Sequence, residues 1–137
     1  MDVICKRFNQ REAGHAGALT FIEGGRDVPF DVKRIYYIYG VGAGERRGYH
    51  AHKQLQQYLI CVHGSCKILM DNGKTRKMVA LKDPNEGLYI GPSVWREMYD
   101  FTDEAVLLVL ASEHYDEDDY IREYADFLKY VEEGSLQ

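Results

Sequence analysis

This sequence has little of several things, and each shortage removes a class of protein. Cys5, Cys61 and Cys66 are the only cysteines among 137 residues. Three is an odd number, and their spacing fits neither a metal knuckle nor a disulfide scaffold; such thiols suit a reducing, cytoplasmic setting. No apolar run approaches the ~20 residues that a membrane span needs, so no membrane role is expected. The start, Met1-Asp2-Val3-Ile4-Cys5-Lys6-Arg7, has no apolar core behind a basic segment, which predicts no signal peptide. Positive charge is scarce too: 17 Lys and Arg stand against 22 Asp and Glu, a net charge of −5. That balance argues against a nucleic-acid surface. Repeats, low-complexity stretches and linkers are missing as well, and the expectation is one domain over residues 1–137.

What is present reads as a soluble globular chain, with 45% hydrophobic and 28% charged residues. Eleven Tyr is a high count. Most tyrosines pack in strands, but the phenol also lines pockets and transfers protons. Residues 18–22, 33–39, 56–63, 65–71, 77–81 and 105–111 are short runs rich in Val, Ile, Tyr and Leu, separated by Gly, Pro and Asn. They predict strands. Asn72-Gly73 between two of them predicts a tight type I′ hairpin turn, and His63-Gly64-Ser65 a second turn. Many short strands at close spacing indicate a sandwich, jelly roll or barrel. The period then changes. Asp116-Glu117-Asp118-Asp119 reads as the acidic start of a helix. Tyr120, Ile121, Tyr124, Phe127, Leu128 and Val131 recur at helical spacing, and Gly134 ends the pattern. The expected element is an amphipathic helix laid on the β body.

Two stretches concentrate chemistry: Lys33-Arg34-Ile35-Tyr36-Tyr37-Ile38-Tyr39 and Arg46-Arg47-Gly48-Tyr49-His50-Ala51-His52-Lys53. Strand alternation puts His50 and His52 on one face, and Arg34, Tyr36 and Ile38 together opposite Ile35, Tyr37 and Tyr39. Two imidazoles on one face are metal ligands, an acid–base pair, or exposed polar residues on an edge strand.

Gly44, five residues, His50-Ala51-His52, four residues, Gln57, six residues and Gly64 resemble the first cupin motif. The fold this implies is an all-β cupin or jelly-roll barrel with a C-terminal amphipathic helix. That motif normally carries Glu where Gln57 stands. The second motif normally supplies a further His past a Pro, whereas the stretch after Pro92 here contains none. Two imidazoles alone hold a divalent metal poorly, and neither Glu97 nor His114 has the offset of a missing ligand. No metal site is expected.

From about Leu19 to Tyr130 the chain resembles the sugar 3,4-ketoisomerases that act on dTDP-4-keto-6-deoxyglucose. The resemblance rests on residues 29–37, 47–53, 87–92 and 106–112, with Tyr115-Asp116-Glu117 and Asp119-Tyr120-Ile121-Arg122. It implies an isomerase that needs no cofactor, forms a homodimer, and makes the 3-keto sugar for 3-amino-3,6-dideoxyhexoses of bacterial surface glycans. Moving a ketone from carbon 4 to carbon 3 takes a base at carbon 3 and an acid that returns a proton at carbon 4, through an enediol. By motif position, His50 is the base, Tyr36 the acid, and His52 an orienting or second proton-transfer group. Arg34, Arg47 and Lys53, with Gln57, Trp95 and Arg96, are the expected substrate-binding residues; Arg46 stands beside them. Arg47 fits the family pattern best for the diphosphate. Arg96 cannot deliver a proton at neutral pH, which favours a 6-deoxygluco over a 6-deoxygalacto product. A second wall position falls near Ala16, where a larger Tyr or Arg is usual in the family. Two other readings stay open: a related nucleotide-sugar 3,5-epimerase, and a non-catalytic ligand-binding cupin.

Overall fold

The computed structural model describes residues 1–135 and contains twelve strands and one helix. In chain order these are β1 (Cys5–Arg7), β2 (Asn9–Glu12), β3 (Ala18–Phe21), β4 (Arg34–Tyr39), β5 (Arg47–His52) and β6 (Gln57–His63). They continue with β7 (Cys66–Asp71), β8 (Arg76–Leu81), β9 (Glu86–Ile90), β10 (Trp95–Tyr99), β11 (Val106–Ala111), β12 (Tyr120–Ile121) and α1 (Tyr124–Ser135). One sheet has the order β1-β9-β6-β11-β4, and a second has the order β12-β5-β10-β7-β8. All named strand pairs are antiparallel. The expected jelly roll is therefore present as two facing sheets, not closed into one hydrogen-bonded barrel.

Alternation along the strands decides which side chains meet. Leu59, Leu88, Leu107 and Val109 from the first sheet pack against Ile68, Met70, Leu81 and Met98 from the second. The outer face of the first sheet is covered by the chain around Val28 and Phe30, which lie on Tyr58, Ile60 and Leu110. The outer face of the second sheet, at Ala51 and Trp95, is covered by α1 through Phe127. β6 is buried on both faces, which explains its near-continuous apolar run.

The six expected strands are present, as is β5, which the alternation of His50 and His52 assumed. Five others were not legible, because polar Cys5–Arg7 and Asn9–Glu12, a strand containing Gly87, a strand with a buried Arg, and a two-residue strand carry no apolar alternation. The helix begins later than its periodicity suggests. Asp116 accepts from the Asp118 amide at 3.0 Å and caps a single 3₁₀ turn, after which Tyr120 and Ile121 pair with β5. The Asn72-Gly73 turn is a four-residue loop, not a type I′ turn. The Asn72 Oδ1 accepts from Lys74 and Thr75 amides at 2.9 and 2.8 Å, and among the four only Gly73 has positive φ.

β2 and β3 form a separate two-stranded hairpin, mostly exposed along its length. Among the described residues no helix is long and apolar enough to cross a membrane.

Candidate active site

At one end of the sandwich the inward-facing positions turn polar. β4 supplies Tyr36, β5 supplies His50 and His52, β6 supplies Gln57 and β10 supplies Arg96. A bulge sets the aim of β5. Arg96 pairs with His50 and Glu97 with Gly48, leaving Tyr49 as the extra residue at φ +58°. Gly48 is required there: its φ is +92°, and a Cβ would lie 2.8 Å from the Arg96 carbonyl oxygen.

The two imidazole rings lie 4.9 Å apart, nearly edge to face. Tyr120 closes over both, at 5.1 Å from His50 and 4.4 Å from His52. His52 is buried, and its Nδ1 stands 3.1 Å from Asp119 Oδ2. A carboxylate can only accept, so Nδ1 carries the proton and Nε2 is left with a lone pair. Asp119 is itself held by the Gln54 and Leu55 amides, at 2.8 and 3.3 Å. Burial, then the charge of Arg96, pushes His50 down to about 4 and His52 down to about 2. Both rings are neutral bases at pH 7. The Nε2 atoms of both are buried without a hydrogen-bond partner among the described residues.

Arg96 is fully buried and, among the described residues, faces no carboxylate within ion-pair distance. Its guanidinium donates to Gln57 Oε1, and to the Val94 carbonyl at 3.0 Å. Burial lowers it to about 10, so it stays cationic at neutral pH. Gln57 Nε2 donates to the Tyr36 hydroxyl at 2.9 Å. Burial pushes the Tyr36 phenol up, while Arg96 and Gln57 pull it back. A buried cation with only neutral acceptors is costly unless a negative charge joins it. The site is thus built for charge that arrives with, or develops on, a ligand.

A cavity of about 350 Å³ opens here, lined by Tyr36, His50, Arg34, Arg47, Tyr120 and Arg122. A second, of about 610 Å³, adjoins it through shared Arg34 and Tyr120 and reaches His52 and Asp119. Arg34 lies over the rings of Tyr36 and Tyr115, at 5.3 and 5.6 Å. Arg122 covers Tyr120 at 4.2 Å and pairs with Glu117 through two bonds of 2.6 and 2.8 Å. A further cavity of about 830 Å³, between the 72–74 turn and the end of α1, contains none of these groups.

Of the residues named from sequence, Tyr36, His50, His52, Gln57, Arg34, Arg47 and Arg96 converge. Trp95 does not. It faces the other side of β10, buried between Tyr124 and Phe127 under α1, and is a core residue. Lys53 is exposed and borders a different hollow beside α1. Arg46 is engaged by Glu97 at 3.0 Å and by the Tyr99 ring. Ala16 sits exposed in the turn of the β2–β3 hairpin and does not line the cavity. Asp119 and Tyr120 are the residues that sequence periodicity misassigned, and Arg122 is one that it did not single out. The first was read as helix capping and the second as a helix face; only the Asp119–Arg122 similarity signalled them.

Gln57, where the cupin motif normally has Glu, is bonded at both ends, and a cationic guanidinium stands beside both imidazoles. These donors do not fit a metal cation. Among the described residues no three His, Cys, Asp or Glu side chains converge as a metal site would require.

Comparison with known proteins matches residues 1–132 to the family described as FdtA: WxcM-like, C-terminal. A curated TDP-4-oxo-6-deoxy-alpha-D-glucose-3,4-oxoisomerase from Aneurinibacillus thermoaerophilus is 47% identical over 121 residues, 88% of this chain and 87% of that protein. The 3,4-ketoisomerase QdtA from Thermoanaerobacterium thermosaccharolyticum, solved as a His-to-Asn variant with TDP-4-keto-6-deoxyglucose, is 50% identical. It superposes with a TM-score of 0.94 over 98% of this chain and 97% of its own. The TDP-quinovose 3,4-ketoisomerase WlaRB from Campylobacter jejuni is 44% identical, with a TM-score of 0.85 over 91% and 97% of the two chains.

Proposed function

The chain belongs to the FdtA family (WxcM-like, C-terminal), and from that premise we propose that it isomerises TDP-4-keto-6-deoxyglucose to the 3-keto sugar without a cofactor. The observation that carries this reading is the pairing of a neutral His50, its Nε2 without a partner among the described residues, with Tyr36 in one cavity beside a buried Arg96 that is held only by neutral acceptors. His50 takes the proton from carbon 3. The C–H electron pair forms the C3=C4 double bond, and the carbonyl oxygen at carbon 4 takes the Tyr36 proton. In the second half the carbon-3 hydroxyl returns its proton to the tyrosinate and becomes the ketone. Carbon 4 takes the proton from the His50 imidazolium, and both residues are restored. His52, fixed by Asp119, orients the site or takes part as a second proton-transfer group. Arg96 offsets negative charge developing on the enediol oxygens, a type of contribution worth roughly 3–4 kcal/mol where a single donor is removed. Arg34 and Arg47 meet the diphosphate.

The product in this reading has the 6-deoxygluco configuration at carbon 4. The fixed cation at Arg96 supports it, since a guanidinium does not protonate the opposite face, as does the likeness to a TDP-quinovose enzyme. The sugar supplies 3-amino-3,6-dideoxyhexoses for surface glycans, and the enzyme works in the cytoplasm, a setting that suits its free cysteines. It does so as a homodimer. The hairpin arm is exposed along most of β2 and half of β3, and edge strand β4 exposes Ile35, Tyr37 and Tyr39 at 61, 60 and 69%. A lone two-stranded hairpin is marginal in water, and a second copy would cover both features.

The test is product analysis. Incubation with TDP-4-keto-6-deoxyglucose and a 3-aminotransferase should yield a 3-amino sugar with gluco configuration, before and after exhaustive chelation. Recovery of a carbon-5 epimer, or activity that returns only with one added metal, would refute the reading. A galacto product would refute the stereochemical assignment alone. Sedimentation should give twice the chain mass, and a monomer would remove the dimer.

A further inference from the structure

Gln57 was expected to bind substrate, yet it is completely buried and lines neither of the two cavities at the site. Its two polar ends are both committed. A guanidinium has only donors, so the end of the amide that faces Arg96 must be the oxygen. The NH₂ end then necessarily faces Tyr36, 2.9 Å away, and donates to the phenol oxygen. The phenol hydrogen cannot lie on that line and must point elsewhere, and the open direction is the cavity that Tyr36 shares with His50. The direction of the whole chain, Arg96 to Gln57 to Tyr36, is thus dictated at its origin by the one group that can only give.

We infer that Gln57 is a positioning residue that sets the polarity of Tyr36, holding the phenol as a proton donor toward the substrate and passing the Arg96 charge to its oxygen. The inference rests on the reading of Tyr36 as the acid. It also gives a physical reason for an amide at this position. A Glu would accept from Arg96 and from Tyr36 alike. The phenol hydrogen would turn back to the carboxylate, and the buried cation would be neutralised before substrate arrived.

The test is Gln57→Glu, nearly identical in size and supplied with a charge partner, so folding is retained. It is assayed in chelator, because the new carboxylate would enlarge the donor set for metals. The expected result is a fall in kcat of ~100-fold, the lower range for a lost acid, with KM for the keto sugar within about threefold of wild type. The alkaline limb of the kcat profile should also move to higher pH, because the added negative charge disfavours tyrosinate. A structural role alone would not move that limb. Gln57→Met, which removes both bonds without adding charge, should lower kcat by about tenfold, the scale of one hydrogen bond to a charged group. Wild-type kcat and an unmoved alkaline limb in Gln57→Glu, or wild-type kcat in Gln57→Met if the first variant fails to fold, would overturn the inference. Tyr36→Phe separates the two levels. If it turns over normally, the acid assignment itself fails; if it is slow while Gln57→Glu is not, only the role of Gln57 fails.

Discussion

The interior of this sandwich has two ends built from the same strands. β6 begins with Gln57 and continues inward through Leu59 and Cys61; β10 carries Arg96 and then Met98; β4 carries Tyr36 and then Ile38. At the apolar end every inward group packs against another apolar group. At the polar end, two residues away, four buried nitrogens have no partner among the described residues: Arg34 Nε, His50 Nε2, His52 Nε2 and Arg96 Nε. Buried polar atoms are almost always satisfied in folded proteins. One end is finished by side chains packing on one another, and the other keeps polar atoms free to meet a ligand. The apolar end supplies the stability that lets the other keep neutral imidazoles beside an uncompensated cation.

Substitutions at the two ends should separate chemistry from stability. The largest effect on turnover is expected for His50→Asn, at least ~100-fold on kcat, with thermal unfolding little changed. Activity near wild type in that variant would break the division. The mirror experiment is Leu59→Ala at the apolar end. Its removal from a fully buried position should cost about 2–5 kcal/mol in chemical denaturation, with kcat unaltered in the folded fraction. A smaller effect is expected from Asp119→Asn. It weakens a charge-assisted bond of ~1.5–3 kcal/mol to His52 and should lower kcat by roughly tenfold. A variant with unchanged kcat would show that the negative charge of Asp119 on His52 is immaterial.

The smallest effect concerns pH. His50 is held down at about 4, against an ordinary 6.5. The kcat/KM of the free enzyme should then change by less than about twofold between neutral pH and ~5, falling only near 4. The stability trend has its own sign. The unfolded chain gains protons on these histidines below 6.5 while the folded chain does not, so stability falls as pH drops from 6.5 toward 4. An acid limb at 6.5 would mean that His50 is not desolvated.

How much of this was legible depended on whether a residue's role is local. Period-two alternation placed Arg34, Tyr36 and the two histidines correctly, because a strand fixes side-chain direction by itself. Arg46, Lys53 and Trp95 are sequence neighbours of the site but point to other faces or hollows, and nearness along the chain carried no information about that. Asp119 and Tyr120 lie on the segment whose helical spacing continues into α1. Only the pairing of Tyr120 with His52, some seventy residues back along the chain, makes it a strand. The buried Arg96 was visible as a charge, but its lack of a carboxylate partner is a fact of packing.

The most direct test follows the carbon-3 proton itself. TDP-4-keto-6-deoxyglucose is incubated in heavy water with chelated wild-type protein and with His50→Asn, and the sugar signals are followed by NMR. The account predicts that wild type removes the carbon-3 proton in step with movement of the ketone, and that His50→Asn leaves it in place over many wild-type turnover times. Loss of that proton at the wild-type rate in His50→Asn, or exchange at carbon 5 by the wild type, would contradict it.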